Sequence, residues 1–168
     1  PYRRQRQMCI RDSNTTEFLA CVERLRRYFP GCALTADMIT GFPGETEDDQ
    51  AAAVAFLEQV GFAAVHVFPY SRRPGTKADA MPEQLSHAVK SARAHEAQRV
   101  ADACKQRYLA QQVGRILPVL FETEHDGNWV GHSDNYCLVR VAGDDLRGLV
   151  KNVKISAVSG QMLVGDLV

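Results

Sequence analysis

Thr35-Ala36-Asp37-Met38-Ile39-Thr40-Gly41-Phe42-Pro43-Gly44-Glu45-Thr46 is the stretch on which the fold turns. A mostly apolar run from Ala33 to Thr40 reads as a buried strand that ends at Gly-Phe-Pro-Gly. Glu47, Asp48 and Asp49 then crowd what reads as the positive end of a helix, with Thr46 placed to cap it. That helix is expected over Glu45–Val60, with Ala53, Phe56, Leu57 and Val60 as its apolar stripe and Gly61 as its stop. Ala63 to Phe68 is a second apolar strand. Upstream, Phe18, Val22, Leu25 and Phe29 recur at helical spacing from Thr15 onward. Thr15 or Thr16 is available as cap there, and Pro30-Gly31 as terminator. Helix, strand, helix, strand with short joints implies a parallel sheet covered by helices.

Downstream, residues 69–81 form a loop rich in Pro, Gly, Ser and Arg. A long helix is expected from Pro82, which suits a first helical turn, to Gln112, with Ala97, Val100, Ala101, Cys104 and Tyr108 inward and Gly114 ending it. The pattern then changes to five short β-rich runs at 115–122, 129–132, 136–141, 146–155 and 162–168. Turn residues separate them at Asp126-Gly127, Ser133-Asp134-Asn135, Gly143-Asp144 and Ser159-Gly160. Five strands in so short a segment predict a small antiparallel barrel of OB-fold size. The fold class is therefore α/β followed by all-β. The divisions fall at 14–81, 82–112 (a connector helix) and 113–168.

Composition bounds the function. The chain has 168 residues, 45% apolar and 24% charged, which suits a packed domain and excludes a disordered tail. Bases and acids balance at 20 each, so bulk charge names no partner. No run of about 18 apolar residues is present to span a bilayer. Cys9, Cys21, Cys32, Cys104 and Cys137 have no metal-ligand spacing, and an odd number of cysteines reads as reduced thiols in a cytoplasmic protein. There is no Cys-x-x-x-Cys-x-x-Cys, Walker loop, Gly-x-Ser-x-Gly or His-Glu-x-x-His, so no metal ligand and no catalytic residue is assigned.

Two loops lie where ligands bind in parallel sheets, at the carboxyl ends of strands. Gly41 and Gly44 let the backbone turn tightly and approach a ligand, although an ordinary strand-to-helix turn uses the same residues. The acids that follow argue against a phosphate there. His66-Val67-Phe68-Pro69-Tyr70-Ser71-Arg72-Arg73-Pro74-Gly75-Thr76 offers a phenol, hydroxyls and two guanidiniums. These could hold a carboxylate, a phosphate or a stacked base, or simply be solvated. His66, within an apolar run, reads as structural. On the barrel, Trp129, His132, Tyr136, Arg140, Arg147, Lys151 and Lys154 are the parts of a single-stranded RNA surface. Residues 113–168 nevertheless hold more acids than bases. Arg72 to Arg107 is better supplied, so Arg72, Arg73, Arg93, Arg99, Lys105 and Arg107 are candidate phosphate contacts, against the alternative of a solvated helix face.

Thr35–Thr46, Phe68-Pro69-Tyr70-Ser71 and Arg73-Pro74-Gly75-Thr76, in that order, resemble the radical S-adenosylmethionine methylthiotransferases, and the final module resembles their TRAM domain. The resemblance runs from about Asn14 to Val168, and the His66–Thr76 stretch is most like the branch acting on threonylcarbamoyladenosine beside the tRNA anticodon. Branches acting on isopentenyladenosine tRNA or a ribosomal protein come next. The resemblance implies the last units of a partial TIM-like barrel, a connector and an RNA-binding barrel. It further implies S-adenosylmethionine near Asp37, Ile39, Gly41, Phe42, Pro43, Gly44, Glu45, Phe68, Tyr70 and Ser71. Tyr136, Arg140, Lys151 and Lys154 would join the helix cations on the tRNA anticodon stem-loop. It implies two 4Fe-4S clusters in the whole protein, with all ligands upstream of Ser13, a monomer at full length, and no activity for this portion alone. Arg3 through Asp12 resembles the translation of a transposase adapter used in sequencing libraries, so residues 1–13 are expected to be non-native. The alternative function is a self-sufficient RNA-binding module without catalysis.

Overall fold

Where Asn14 meets Thr15 the chain shows how a single residue decides a helix start. A computed structural model of the chain describes residues 14–168; the segment expected to be adapter-derived, with Cys9, lies outside them. Two units are distinguished, divided after Cys32. In the first, α1 (Thr15–Tyr28) is capped by Asn14 rather than by either threonine. Asn14 Oδ1 accepts the Glu17 N–H at 2.9 Å and Glu17 Oε2 accepts the Asn14 N–H at 3.1 Å. Only with Asn14 as cap does Glu17 fall at the third position and close this reciprocal box.

The second unit, Ala33–Val168, begins with β1 (Thr35–Thr40), α2 (Glu47–Val60) and β2 (Ala64–Pro69). The strands pair in parallel, Thr35 opposite Ala64 through Thr40 opposite Pro69, with α2 as the crossover a parallel pair requires. This half of the described chain holds two strands of parallel sheet and not a closed barrel. Thr46 caps α2 as expected: its Oγ1 accepts the Asp49 N–H at 3.1 Å, and Asp49 Oδ2 accepts the Thr46 N–H at 2.9 Å. Gly61, at φ 63°, ends the helix in the left-handed conformation that glycine adopts at little cost.

Helix α3 (His87–Ala110) starts at the Ser86 cap and not at Pro82. Pro82 and Glu83 stay in the loop because they serve the turn beside them: Glu83 has φ 62° and its carbonyl accepts the Gly44 N–H at 3.2 Å. Ala97, Val100, Ala101, Cys104 and Tyr108 are buried, as their spacing indicates, and α3 packs on β2 and α2. No helix among the described residues is long and apolar enough to cross a membrane.

The remaining strands are β3 (Ile116–His125), β4 (Asn128–Ser133), β5 (Leu138–Ala142), β6 (Val150–Ser159) and β7 (Met162–Leu167). They close into a barrel in the order β3-β4-β5-β7-β6. It is not wholly antiparallel: β5 and β7 run parallel, Val139 opposite Leu163. A closed ring with an odd number of strands cannot alternate direction all the way round, so one parallel pair is unavoidable. Leu117, Val119, Phe121, Val139, Val141, Val153, Ile155 and Leu163 fill the interior, joined by Tyr108 and Leu109 of α3. Trp129 belongs to this core too, at 6% exposure, and so is not available as a surface aromatic.

Candidate functional site

The pleat of β1 and β2 sorts their side chains onto two faces. Val65 and Thr40 are buried and Ala36, Met38 and Val67 partly so, on the side that α3 covers. The other face carries Asp37, Ile39, His66 and Phe68, all exposed, with Asp37 opposite His66 and Ile39 opposite Phe68. Ile39 is 56% and Phe68 52% exposed. His66, read as structural from its apolar run, is exposed and not part of the core. Burial of Val65 forces its neighbour to the open side, where its ring stacks on Phe68 at 6.5 Å between centroids.

At the carboxyl ends of the two strands the expected loops come together. The Tyr70 N–H donates to the Thr40 carbonyl at 2.8 Å, and the Phe42 and Tyr70 rings meet edge to face at 5.2 Å. Lys90 Nζ lies 5.4 Å from the centre of the Tyr70 ring, close enough for a cation–π contact. Gly41 and Gly44 have φ 70° and 81°, the reason glycine is needed at both. Pro43 is buried, while Phe42 and Ser71 are exposed. The Tyr70 hydroxyl and Thr40 Oγ1 are buried without a hydrogen-bond partner among the described residues. Glu45 points back into the turn: its Oε1 accepts the Gly41 N–H at 2.9 Å and pairs with Arg93 Nη1 at 2.8 Å.

The candidate cations do not make one surface. Arg93 is buried in that pair, and Arg72 Nε is paired with Asp79 at 2.7 Å. Arg99 and Arg107 are exposed, Arg107 with Nη2 3.1 Å from Cys104 Sγ, and Lys105 is half-buried beside a cavity of about 290 Å³ at the edge of β2. At 3.6 residues per turn, Arg93, Arg99 and Lys105 point to different sides of α3. Arg73, Lys151 and Lys154 are exposed and Arg140 partly so. Tyr136 is 86% exposed at φ 58° and borders an apolar groove of about 490 Å³ with Pro118, Leu120, His132 and Val150. His132 Nδ1 is bonded to Glu122 Oε2 at 2.6 Å on its rim.

Sequence reasoning passed over Lys90 and Gln50. Gln50 is 5% exposed, and its Nε2 donates to the Arg93 carbonyl at 3.2 Å and to Glu96 Oε2 at 2.9 Å. Its signal was available, since residues 50, 53, 57 and 60 continue one helical stripe. No group of three or more His, Cys, Asp or Glu side chains among the described residues could hold a metal ion. Cys104 and Cys137 are free and buried, and burial pushes the Cys137 thiol up from its ordinary value. These residues do not fit an iron–sulfur cluster.

No family model matches the chain. It is 37% identical over 153 residues, 87% of its length, to threonylcarbamoyladenosine tRNA methylthiotransferase MtaB of Bacillus subtilis, of which it covers 34%. It is 39% identical over 160 residues, 94% of its length, to a tRNA-2-methylthio-N6-dimethylallyladenosine synthase of Maricaulis maris, of which it covers 35%. The synthase of that name from Nitratidesulfovibrio vulgaris is 36% identical over 158 residues, 89% of this chain and 35% of the relative. The chain thus spans about a third of the length of the relatives it matches. Its homologues are tRNA methylthiotransferases, and the two substrate types stand at nearly equal identity.

Proposed function

We propose that this chain is a part of a cytoplasmic tRNA methylthiotransferase of the threonylcarbamoyladenosine type. Its parallel strands would be the last units of a radical-S-adenosylmethionine partial barrel, and its β-barrel an OB-like TRAM module on the tRNA anticodon stem-loop. The observation that carries this is the uncovered face of β1 and β2. An aromatic, an isoleucine and a carboxylate stand open to solvent on a sheet whose other face is packed, as inward-facing barrel positions would when read apart from the remaining strands.

The fit to S-adenosylmethionine rests on the same geometry. Phe68 and Ile39 offer an apolar wall to a base, Asp37 offers a carboxylate to a hydroxyl or ammonium group, and the Gly41–Glu45 turn stands at the strand end beside them, its two glycines leaving room for Lys90 and Glu83. When bound, that cofactor supplies a carbon radical able to activate a C–H bond for sulfur insertion. The residues of this chain bind and orient it, exclude water along the Phe68 face, and hold Tyr70 and Phe42 at the mouth where a modified base would enter. The described cysteines do not fit the clusters, so those ligands are assigned to other parts of the enzyme. Arg73, Arg99, Arg107, Tyr136, Arg140, Lys151 and Lys154 remain the candidates for tRNA contact, since their side chains reach solvent.

The threonylcarbamoyladenosine reading rests on the resemblance of His66–Thr76; the 39% identity to the Maricaulis synthase favours the dimethylallyl substrate as the second reading. A graft decides between them. Residues 14–168 replace the matching stretch of the Bacillus relative, the graft is expressed in cells lacking their own methylthiotransferases, and tRNA nucleosides are read by mass spectrometry. Methylthiolated threonylcarbamoyladenosine is the expected product. A methylthiolated dimethylallyl nucleoside in its place would favour the second reading, and absence of any methylthio nucleoside, from a soluble graft whose parent is active, would overturn the assignment.

A further inference from the structure

Arg93 was a candidate RNA contact, yet only 9% of its side chain is exposed. Nη1 donates to the Glu45 carbonyl at 2.9 Å and to Glu45 Oε1 at 2.8 Å, with Glu47 Oε1 3.8 Å from Nη2. The same Glu45 Oε1 accepts the Gly41 N–H. Gly41 and Glu45 are the two ends of the glycine turn, so one carboxylate oxygen staples the turn and a guanidinium delivered by α3 holds the staple. Arg93 is itself held, through its carbonyl, by the buried Gln50 of α2. One helical turn earlier, α3 presses on the same place: a Cβ at Gly41 would lie 2.4 Å from Lys90 Cγ. A buried ion pair adds little net stability over an apolar replacement of equal volume. What this one does is fix geometry, because Nη1 engages the carbonyl and a carboxylate oxygen of one residue at once while the rigid guanidinium plane turns Nη2 toward Glu47.

We infer that Arg93 is a positioning residue: acting through Glu45, it sets the backbone of residues 41–45 and so shapes the wall offered to the cofactor. The inference rests on the reading of that turn as the S-adenosylmethionine wall. It assigns to Arg93 of α3 a part in cofactor binding exerted by way of that turn.

Two substitutions test it. Arg93→Lys keeps the charge and loses the rigid guanidinium plane and its reach; Glu45→Gln keeps an acceptor for Gly41 and loses the ion pair. In the 168-residue chain, amide hydrogen exchange at Gly41 should quicken by about tenfold or more in either variant, while amides in the barrel core stay as they were. In the grafted enzyme, KM for S-adenosylmethionine should rise by about tenfold with kcat changed less than about threefold, the split expected when binding geometry alone is lost. Should Arg93→Lys fail to fold, Glu45→Gln carries the same test. Unchanged Gly41 exchange in the folded variants overturns the inference, and so does quickened exchange with an unchanged KM. An unsubstituted graft that takes up no S-adenosylmethionine sinks the functional reading instead, whatever Gly41 does.

Discussion

Two glycines inside strands carry more of the barrel than any turn glycine. Gly131 of β4 and Gly165 of β7 sit opposite Phe121 and Ile155, beside the two places where strand register shifts. A Cβ on Gly131 would lie 2.0 Å from the Leu120 carbonyl oxygen, and one on Gly165 would lie 2.3 Å from that of Lys154. These are the close backbone approaches at which a small barrel turns its corners. Gly131→Ala is expected to cost about 1–3 kcal/mol or more, whereas Gly127→Ala, with φ 71° but open space around it, costs about 1 kcal/mol. Urea denaturation ranks the two, and equal midpoints would mean the close approach is not there. Neither corner was legible in the sequence. A glycine within a β-rich run signals a bulge only once its cross-strand partner is known, and one chain does not state its register.

At the scale of elements, a cap and its third follower standing together made the start of α2 legible, whereas the same pairing of Asn14 with Glu17 was passed over for Thr15 or Thr16, and a second role hid the start of α3. Thr46 and Asp49 form such a pair, and α2 begins as its acids indicate. Pro82 obeys the same rules for a helix start, but Glu83 is needed against Gly44, so α3 waits for Ser86. The far end of α3 was equally hidden. Asn135 Nδ2 donates to the Tyr108 hydroxyl at 3.0 Å and to Gln112 Oε1 at 3.1 Å, keying the helix to the barrel through the inward Tyr108 and two polar residues that composition treats as loop or surface. The α2 cap makes a pH-dependent element. Bonds from the Thr46 backbone and hydroxyl hold the Asp49 carboxyl below the ordinary aspartate value. Since the folded pKa lies below the unfolded one, the cap's contribution is whole above about pH 4 and is lost as pH falls through the folded value. Thr46→Ala should cost about 1 kcal/mol at neutral pH. Protection of the first-turn amides of α2, taken relative to their intrinsic exchange rate at each pH, should fall in acid, and Asp49→Ala should abolish that acid dependence. A first turn equally protected at pH 2 and pH 6 would remove the box from the account.

Across the whole molecule, the alternation of strands and helices and the change to short β runs were readable, because periodicity and turn residues are local properties. Which face of β1 and β2 would lie open was not. It follows from the burial of Val65 under α3, a contact between residues far apart in sequence, and it puts His66 on the exposed face beside Phe68. Charges misled for a like reason: a sequence counts arginines but does not show that Asp79 and Glu45 already occupy Arg72 and Arg93. That some pair in a closed five-stranded barrel runs parallel was recoverable from arithmetic, but that it is β5 with β7 was not.

The central claim is that the open face of β1 and β2 is a cofactor wall, and equilibrium binding of S-adenosylmethionine to the grafted enzyme and to its Phe68→Ala variant tests it most directly. Truncating an apolar wall residue of this size forfeits about 1.5–3 kcal/mol of burial, so affinity should fall by about tenfold or more, with melting temperature and tRNA affinity held. Equal affinity in the two proteins would show that Phe68 does not face the cofactor, and would contradict the account.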